Sequence, residues 1–184
     1  MQKTYLKKPS KIKSKIDGCF LINLNKNIDH RGYFFNIFDG TYYFQNFHKK
    51  SIKQINISEN KERGTIRGLH YQSEPFSDNK IVTCIKGKIY DVVLDLRVKS
   101  KTFGMCEKFE LSEKNNLILH IPKNCAHGYQ TLQKDTIILY LHSQIYKKKH
   151  DKGYYALDKN LNINWPIKKK IMSDKDKNLK NFSI

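Results

Sequence analysis

Apolar residues occur along most of the chain in short runs separated by polar, Gly-, Asn- or Lys-containing segments. Short runs at this spacing are typical of strands in an all-β sandwich or barrel. Gly87 separates two of the runs and indicates a hairpin. The predicted strands cover residues 19–24, 33–38, 53–58, 65–72, 81–86, 88–96, 105–111, 116–121 and 136–143. The pattern therefore predicts a mainly β fold, either a double-sheet jelly roll or a small barrel.

Two segments depart from the strand pattern. Residues 39–50 begin with an Asp of the N-cap type and carry spaced aromatic residues, which predicts a short helix. The Lys-rich segment after Trp165-Pro166 is predicted to form a short helix or a tail folded back on the β-structure. Neither an internal repeat nor a Pro/Gly/Ser-rich linker interrupts the chain, so residues 1–184 are interpreted as one domain, with a core at about 19–176 and Lys-rich termini.

Composition adds a strong positive charge. The chain carries a formal net charge of +18, with 39% hydrophobic and 12% aromatic residues. Such a charge fits a nucleic-acid or anionic-membrane surface, or a Lys-rich surface around a site for an anionic small molecule. Because the lysine runs are dispersed, we favour the second interpretation and expect neither nucleic acid nor membrane as partner.

The cysteines indicate the compartment. Cys19, Cys84, Cys106 and Cys125 are far apart and form no C-x-x-C pair, which argues against a zinc knuckle and a redox motif. The N-terminal residues contain no apolar signal segment, and no apolar run is long enough to span a membrane. Free thiols without an export signal predict a cytoplasmic protein.

The stretch RGTIRGLHYQ, residues 63–72, contains the most informative chemistry. Two Arg, two Gly and a His within eight residues are unusual for a purely structural strand. On a regular strand Arg67 and His70 would face opposite sides, unless a bulge at Gly68 redirects them. Small barrels bind ligands where such polar residues converge.

Eight segments together carry a resemblance to a known family. They are HRGYFFNIFD (30–39), QINIS (54–58), IRGLHYQ (66–72), residues 80–104, IPKNCAHGYQTL (121–132), ILYLHSQIY (138–146), INWP (163–166) and SDKD (173–176). In this order and spacing the sequence resembles the dTDP-4-dehydrorhamnose 3,5-epimerases. These sugar-nucleotide epimerases are cupin-like jelly-roll homodimers that use no cofactor or metal. The resemblance implies that this chain inverts C3, C5 or both in a nucleotide-diphosphate 4-keto-6-deoxy sugar for surface polysaccharide synthesis.

The resemblance also implies catalytic roles. Inversion beside a ketone requires a base, an acid on the opposite face and a group that stabilises the enolate oxygen. His70 matches the family's base, and Asp176 matches the carboxylate that orients it. Tyr140 matches the acid, and Lys80 matches the lysine beside the ketone oxygen.

Binding roles follow in the same way. Arg67 resembles a diphosphate ligand, and Arg31, Gln54 and Asn56 resemble nucleotide ligands. The remaining matches to sugar- or phosphate-side positions are His127, Tyr146, Asp151 and Lys175. In the family the N-terminal strand crosses to the partner subunit, so Arg31 is expected to serve the neighbouring site. Asn36 stands where the family usually has a Glu that holds the base, so a GDP-linked sugar, including a GDP-4-keto-heptose, stays an alternative to a dTDP-linked one.

Structural alternatives exist for several of these residues. Tyr140 and Tyr146 could be core aromatics, Lys80 a surface lysine, His127 a turn residue and Asp176 a solvated residue of the tail. A metal-dependent cupin is the main rival enzyme class, but the chain has no H-x-H pair. A non-catalytic sugar-nucleotide-binding β-domain is the second rival, although a binder would need no acid–base pair.

Overall fold

The computed structural model describes residues 10–24, 26–39 and 51–183. These residues form thirteen strands and one short α-helix. The first six strands are β1 (Ser10–Lys13), β2 (Phe20–Asn23), β3 (Asn27–Asp29), β4 (Gly32–Phe34), β5 (Gln54–Asn60) and β6 (Ile66–Gln72). The others are β7 (Lys80–Lys86), β8 (Lys88–Asp95), β9 (Cys106–Ser112), β10 (Leu117–Ile121), β11 (Cys125–Thr131), β12 (Thr136–His142) and β13 (Asp151–Gly153). The helix α1 spans Asp174–Lys177, and two 3-10 turns span Lys148–His150 and Lys159–Leu161.

Most of these strands form two antiparallel sheets. The six-stranded sheet has the order β1-β2-β10-β7-β12-β5, and the five-stranded sheet has the order β13-β6-β11-β8-β9. Strands β3 and β4 form a separate hairpin. Side chains from both large sheets meet in a common core, including Val82 of β7, Val93 of β8, Leu119 of β10 and Ile138 of β12. The structure confirms the mainly β prediction as a double-sheet jelly roll.

The five-stranded sheet is buried on its second face as well. Val92 and Leu94 lie in a second cluster with Trp165, Leu161 and Phe182, which come from the C-terminal segment. The Trp165 indole N–H donates to the Ala156 carbonyl at 2.8 Å. Because both faces of β8 are covered, its apolar residues form a continuous run instead of an alternating pattern. The INWP motif thus fastens the C-terminal segment to the sheet.

The predicted strands agree with the observed ones for eight of the nine runs, with shifts of one or two residues at their ends. The run 33–38 is wrong in part, because β4 ends at Phe34. Phe35 and Ile37 instead pack against the outer face of the six-stranded sheet. The predicted helix at 39–50 lies outside the described residues apart from Asp39. The helix predicted after Trp165 is α1.

Strands β1, β3, β11 and β13 were not predicted. Strand β11 has the sequence CAHGYQT and all seven of its residues are buried. Its mixture of Gly, His and polar residues carries no strand periodicity. His127 therefore lies in a central strand, and the turn alternative for this residue is wrong.

Candidate active site

A cleft of about 710 Å³ opens between the two sheets. Eleven of the thirteen predicted site residues line this cleft. They are Gln54, Asn56, Arg67, His70, Lys80, His127, Tyr140, Tyr146, Asp151, Lys175 and Asp176. The fold therefore brings together residues that are spread over more than a hundred positions of the sequence.

His70 and Asp176 form a hydrogen-bonded pair on the wall made by the five-stranded sheet. The His70 Nε2 atom lies 2.8 Å from Asp176 Oδ1, and Asp176 Oδ2 accepts the Gly68 N–H at 3.2 Å. The Asp176 side chain is 5% exposed and that of His70 30%. Burial alone would raise the pKa of Asp176, but the His70 hydrogen bond, helped by the Gly68 N–H, lowers it overall. The ionised Asp176 thus fixes the His70 ring and leaves Nδ1 for the cleft. The alternative of a solvated Asp176 is wrong.

The local sequence explains why Asp176 lies at this point. Ser173 caps α1 by accepting the Asp176 N–H at its hydroxyl, at 3.1 Å. Just before the helix, Ile171 pairs with Thr65 at the start of β6. The C-terminal segment is therefore aligned along the strand that carries His70.

A bulge in β6 turns Arg67 and His70 to the same side. His70 pairs with His127 and Arg67 with Tyr129, so three steps on β6 oppose two on β11. Gly68 lies inside this bulge with a φ of +109°, a conformation that side chains of L-residues rarely adopt. The bulge at Gly68 that would bring Arg67 and His70 to the same side is confirmed.

Tyr140 and Lys80 belong to the opposite wall, on β12 and β7 of the six-stranded sheet. Lys80 is 8% exposed and its Nζ donates to the His70 carbonyl at 3.2 Å, so it is a buried residue and not a surface lysine. Burial raises the pKa of the Tyr140 hydroxyl well above its ordinary value, and Tyr129 adds to the effect. Tyr140 therefore keeps its proton at neutral pH. The half-buried Tyr140 ring lines the cleft and also packs against the main core, so the core-aromatic alternative is correct for part of its surface.

The buried histidine His127 packs against Tyr140. The His127 Nε2 atom lies 2.8 Å from Asp91 Oδ2, and both side chains are almost completely buried. The rings of His127 and Tyr140 meet edge to face with centroids 6.2 Å apart. Because Asp91 holds the imidazole in one orientation, the Tyr140 ring meets a fixed surface on this side.

Polar residues surround the mouth of the cleft. Tyr146 donates its hydroxyl to Asp151 at 2.9 Å, and Lys175 forms an ion pair with the same carboxylate. The hydrogen bond from Lys175 to Asp151 raises the pKa of Lys175, which keeps its positive charge. Gln54 donates to Asn56 and accepts the Tyr146 N–H. Tyr146 is 52% exposed and is therefore not a core aromatic.

Arg67 supplies a further cation. Its Nε donates to Asn60 Oδ1 at 2.8 Å, while the side chain stays exposed to the cleft. Asn60 Oδ1 also accepts the Tyr129 hydroxyl. The guanidinium is therefore held in place and still available for a ligand anion.

Arg31 and Asn36 do not line the cleft. Arg31 lies in the exposed β3–β4 hairpin and pairs with Asp29 at 2.6 Å. The side-chain Oδ1 atom of Asn36 accepts the Phe38 N–H at 3.2 Å. Within one copy of the chain these two predicted ligands are thus separate from the other eleven.

The sequence-based analysis missed several lining residues, above all His142 and Asp78. These two side chains form a further pair, with His142 Nδ1 2.7 Å from Asp78 Oδ2. The available signal was the alternation of strand β12, because His142 lies two positions after Tyr140 and on the same face. Asp78 precedes Lys80 in an irregular loop and carried no such signal.

Within 10–24, 26–39 and 51–183, no group of three or more His, Cys, Asp or Glu side chains is arranged to hold a metal ion. None of the helices in these segments is long and apolar enough to cross a membrane.

Fold and site together define a class of protein. A buried carboxylate orients a histidine on one wall, and a protonated tyrosine faces it from the other wall, so a ligand between them could lose and regain a proton. Arg67, Lys80 and Lys175 suit an anionic ligand. The class is an acid–base enzyme with a jelly-roll fold.

Comparisons with known proteins give the family. The family model of dTDP-4-dehydrorhamnose 3,5-epimerase matches residues 13–183. The enzyme of that name from Sinorhizobium fredii is 40% identical over 157 residues, which cover 85% of this chain and 80% of the relative. A dTDP-4-dehydrorhamnose 3-epimerase from Streptomyces niveus is 30% identical over 162 residues, with coverage of 88% and 78%. The chain therefore belongs to the dTDP-4-dehydrorhamnose 3,5-epimerase family, as the sequence resemblance predicts.

A solved structure supports the same assignment. The crystal structure of dTDP-4-dehydrorhamnose 3,5-epimerase from Bacillus anthracis, with TDP and PPi bound, superposes with a TM-score of 0.91 at 36% identity. The match covers 95% of this chain and 99% of the other. The cupin-like jelly roll predicted from the resemblance is thereby confirmed.

Proposed function

We propose that this chain is an epimerase that inverts C3, C5 or both in a dTDP-linked 4-keto-6-deoxy sugar. The observation that carries the proposal is the placement of the His70–Asp176 pair and of Tyr140 with Lys80 on opposite walls of one cleft. An epimerase needs this separation because the proton leaves one face of the ring and another proton arrives at the opposite face. Family membership supports the substrate class.

His70 starts the reaction in this proposal. The imidazole takes the proton from the carbon next to the ketone, and the electron pair of the broken C–H bond moves to the ketone oxygen. Asp176 stabilises the imidazolium that forms. The Lys80 ammonium compensates the negative charge of the enolate oxygen.

Tyr140 completes the inversion. It donates its proton to the carbon from the opposite wall, and the enolate electrons restore the ketone. The resulting tyrosinate and imidazolium return to their starting states by proton exchange with solvent. His127, held by Asp91, keeps the Tyr140 ring in position.

The cations and amides of the cleft bind the nucleotide part. We assign Arg67 and Lys175 to the diphosphate, because both are held by neighbouring groups and point into the cleft mouth. Gln54 and Asn56 are assigned to the nucleotide, and Tyr146 and Asp151 to the rim of the same site. The relatives named above carry dTDP-linked names, which favours thymidine over guanosine in spite of Asn36.

We further propose that the enzyme works as a homodimer. The edge strand β5 exposes Ile55 and Ile57, which are 62% and 66% accessible. A second copy would cover these side chains and could bring its Arg31 and Asn36 to the cleft. A monomer by light scattering would contradict this arrangement.

The setting of the reaction is also proposed. All four cysteines are free, and three of them are buried, which fits a reducing cytoplasm. Surface polysaccharide synthesis is the process assigned to the sugar product, on the basis of the family resemblance.

Deuterium uptake tests the reaction. In deuterated water the wild type should incorporate deuterium at C3, C5 or both of dTDP-4-keto-6-deoxyglucose, measured by NMR. His70→Asn should lower the uptake rate about 10²- to 10⁴-fold, the usual contribution of a positioned acid–base group. His150→Asn is a matched control, because His150 lies outside the cleft and contacts Ser73.

Two results would overturn the proposal. Uptake by His70→Asn at the wild-type rate would remove His70 as the base. Exchange only with GDP-linked 4-keto sugars in the same panel would replace the thymidine assignment by a guanosine one.

A further inference from the structure

A third His–Asp pair, formed by His142 and Asp78, lines the cleft and takes no part in the proposed reaction. His142 ends strand β12, and its Nδ1 lies 2.7 Å from Asp78 Oδ2. Asp78 is 3% exposed at its side chain and His142 is 17% exposed. The pair therefore holds one nitrogen of an imidazole in the wall while part of the ring stays open to the cleft.

The contacts define what the open edge of His142 can do. A carboxylate only accepts hydrogen bonds, so the Nδ1 atom that faces Asp78 carries a hydrogen. Among the described residues, Nε2 has no hydrogen-bond partner. A polar atom at the edge of a cleft is usually paired with a ligand or with water. Nε2 is thus available to a ligand, while Asp78 holds the Nδ1 atom of the same ring.

The position of His142 indicates which part of a ligand it meets. On one side its cross-strand neighbour is Lys80 of β7. Its ring lies nearly parallel to that of Tyr140, with an angle of 16° and centroids 5.9 Å apart. Lys80 and Tyr140 both act on the sugar ring in the proposed reaction. His142 therefore borders the sugar part of the cleft.

We propose that His142 is a substrate-contacting residue that forms a hydrogen bond from Nε2 to a hydroxyl of the sugar, with Asp78 as its positioning residue. A hydroxyl both donates and accepts, so it can pair with Nε2 in either protonation state of the ring. The inference rests on the proposed function, since it requires a nucleotide sugar in this cleft. It adds a contact that distinguishes sugars by their hydroxyl groups.

Binding of two probes tests the contact. The probes are dTDP and dTDP-glucose, which has no ketone and so cannot be epimerised. Titration calorimetry gives the dissociation constant of each for the wild type, His142→Asn, His142→Gln and the control His150→Asn. The Asn amide can still donate to Asp78 but does not reach the position of Nε2. The longer Gln amide reaches about that position.

A sugar contact has a specific signature. His142→Asn should weaken binding of dTDP-glucose about 2- to 10-fold, the usual contribution of one hydrogen bond, and leave binding of dTDP unchanged. His142→Gln should recover most of the loss, and Asp78→Asn should give a smaller loss than His142→Asn. The His142 variants should melt within a few degrees of the wild type, because only one partly exposed side chain changes.

Contrary results are equally clear. Wild-type affinity for dTDP-glucose in His142→Asn would overturn the inference, and so would an equal loss for both probes, which would place His142 at the nucleotide. If the wild type binds neither probe and shows no deuterium uptake, the proposed function itself fails. If the wild type does both, a negative result with His142→Asn concerns this inference alone.

Discussion

Gly68 is the point where the backbone geometry of β6 decides the position of the His70–Asp176 pair. A Cβ atom added at Gly68 would lie 2.5 Å from the His127 carbonyl oxygen and 2.7 Å from Gly128 Cα. Both are backbone atoms of the central strand β11, which pairs with β6 and β8 and cannot easily move. Gly68→Ala therefore meets two separate costs, the positive φ of +109° and the close contact.

The size of the effect follows from these two costs. A non-glycine residue in a sparsely populated backbone conformation costs about 1–3 kcal/mol. Overpacking of a dense interior costs about 1–3 kcal/mol more. We expect Gly68→Ala to lower the free energy of unfolding by about 2–6 kcal/mol. At about 2–4 °C per kcal/mol for a chain of this size, the melting temperature should fall by roughly 4–24 °C.

Gly32 provides a matched control. It has a similar φ of +131° in the exposed hairpin, but nothing lies within 4 Å of an added Cβ. Gly32→Ala should therefore show only the backbone cost of about 1–3 kcal/mol. Urea unfolding of both variants gives the difference. Equal destabilisation of the two variants would refute the claim that β11 presses on Gly68. Deuterium uptake should also fall in Gly68→Ala, because the Gly68 N–H binds Asp176.

The other predictions concern the two remaining groups of the acid–base site. Tyr140→Phe removes the proton donor on one wall and leaves His70 in place. Exchange of the α-proton with solvent should therefore continue, while net inversion falls much further, both measured by NMR. A parallel fall of exchange and inversion would contradict the role of Tyr140. Asp176→Asn should lower activity about 10²- to 10⁴-fold, because the imidazolium loses its carboxylate. Folding lowers the pKa of Asp176 below its ordinary value of 3.8. The stability that the ionised carboxylate contributes to the fold is therefore fully present above the ordinary pKa and is lost as the pH falls through the folded pKa. As the pH falls through the folded pKa of Asp176, the variant should therefore lose less stability than the wild type, because it has no carboxylate to protonate. Identical acid unfolding curves would be the contrary outcome.

The sequence was sufficient for most of the fold because its strands alternate with clear turn signals. The failure at β11 has a physical cause. Strand β11 is buried on both faces although its own residues have mixed polarity. His127 and Tyr129 line the cleft, and Gly128 lies against Gly68. These residues interrupt the alternation of apolar and polar side chains by which strands are recognised.

The site was predicted as far as the resemblance extended. His70, Lys80, Tyr140 and Asp176 line one cleft, although only the structure reveals that Asp176 is buried and capped by Ser173. His142 escaped notice because strand alternation places it on the same face as Tyr140 but assigns it no role. Its meaning depends on Asp78, and that pairing is set by tertiary structure alone.

The anchoring of the C-terminal segment has a consequence for the synthesis of the protein. All thirteen strands precede α1 in the chain, and yet Lys175 and Asp176 enter the cleft only when Ile171 docks on Thr65 and Lys180 on Tyr154. A nascent chain can therefore pair every strand of both sheets while its histidine still lacks a carboxylate. The His70–Asp176 pair therefore forms only after the segment that follows Trp165 has been synthesised, and a chain cut short before Asp176 would lack both this carboxylate and Phe182 of the second core cluster.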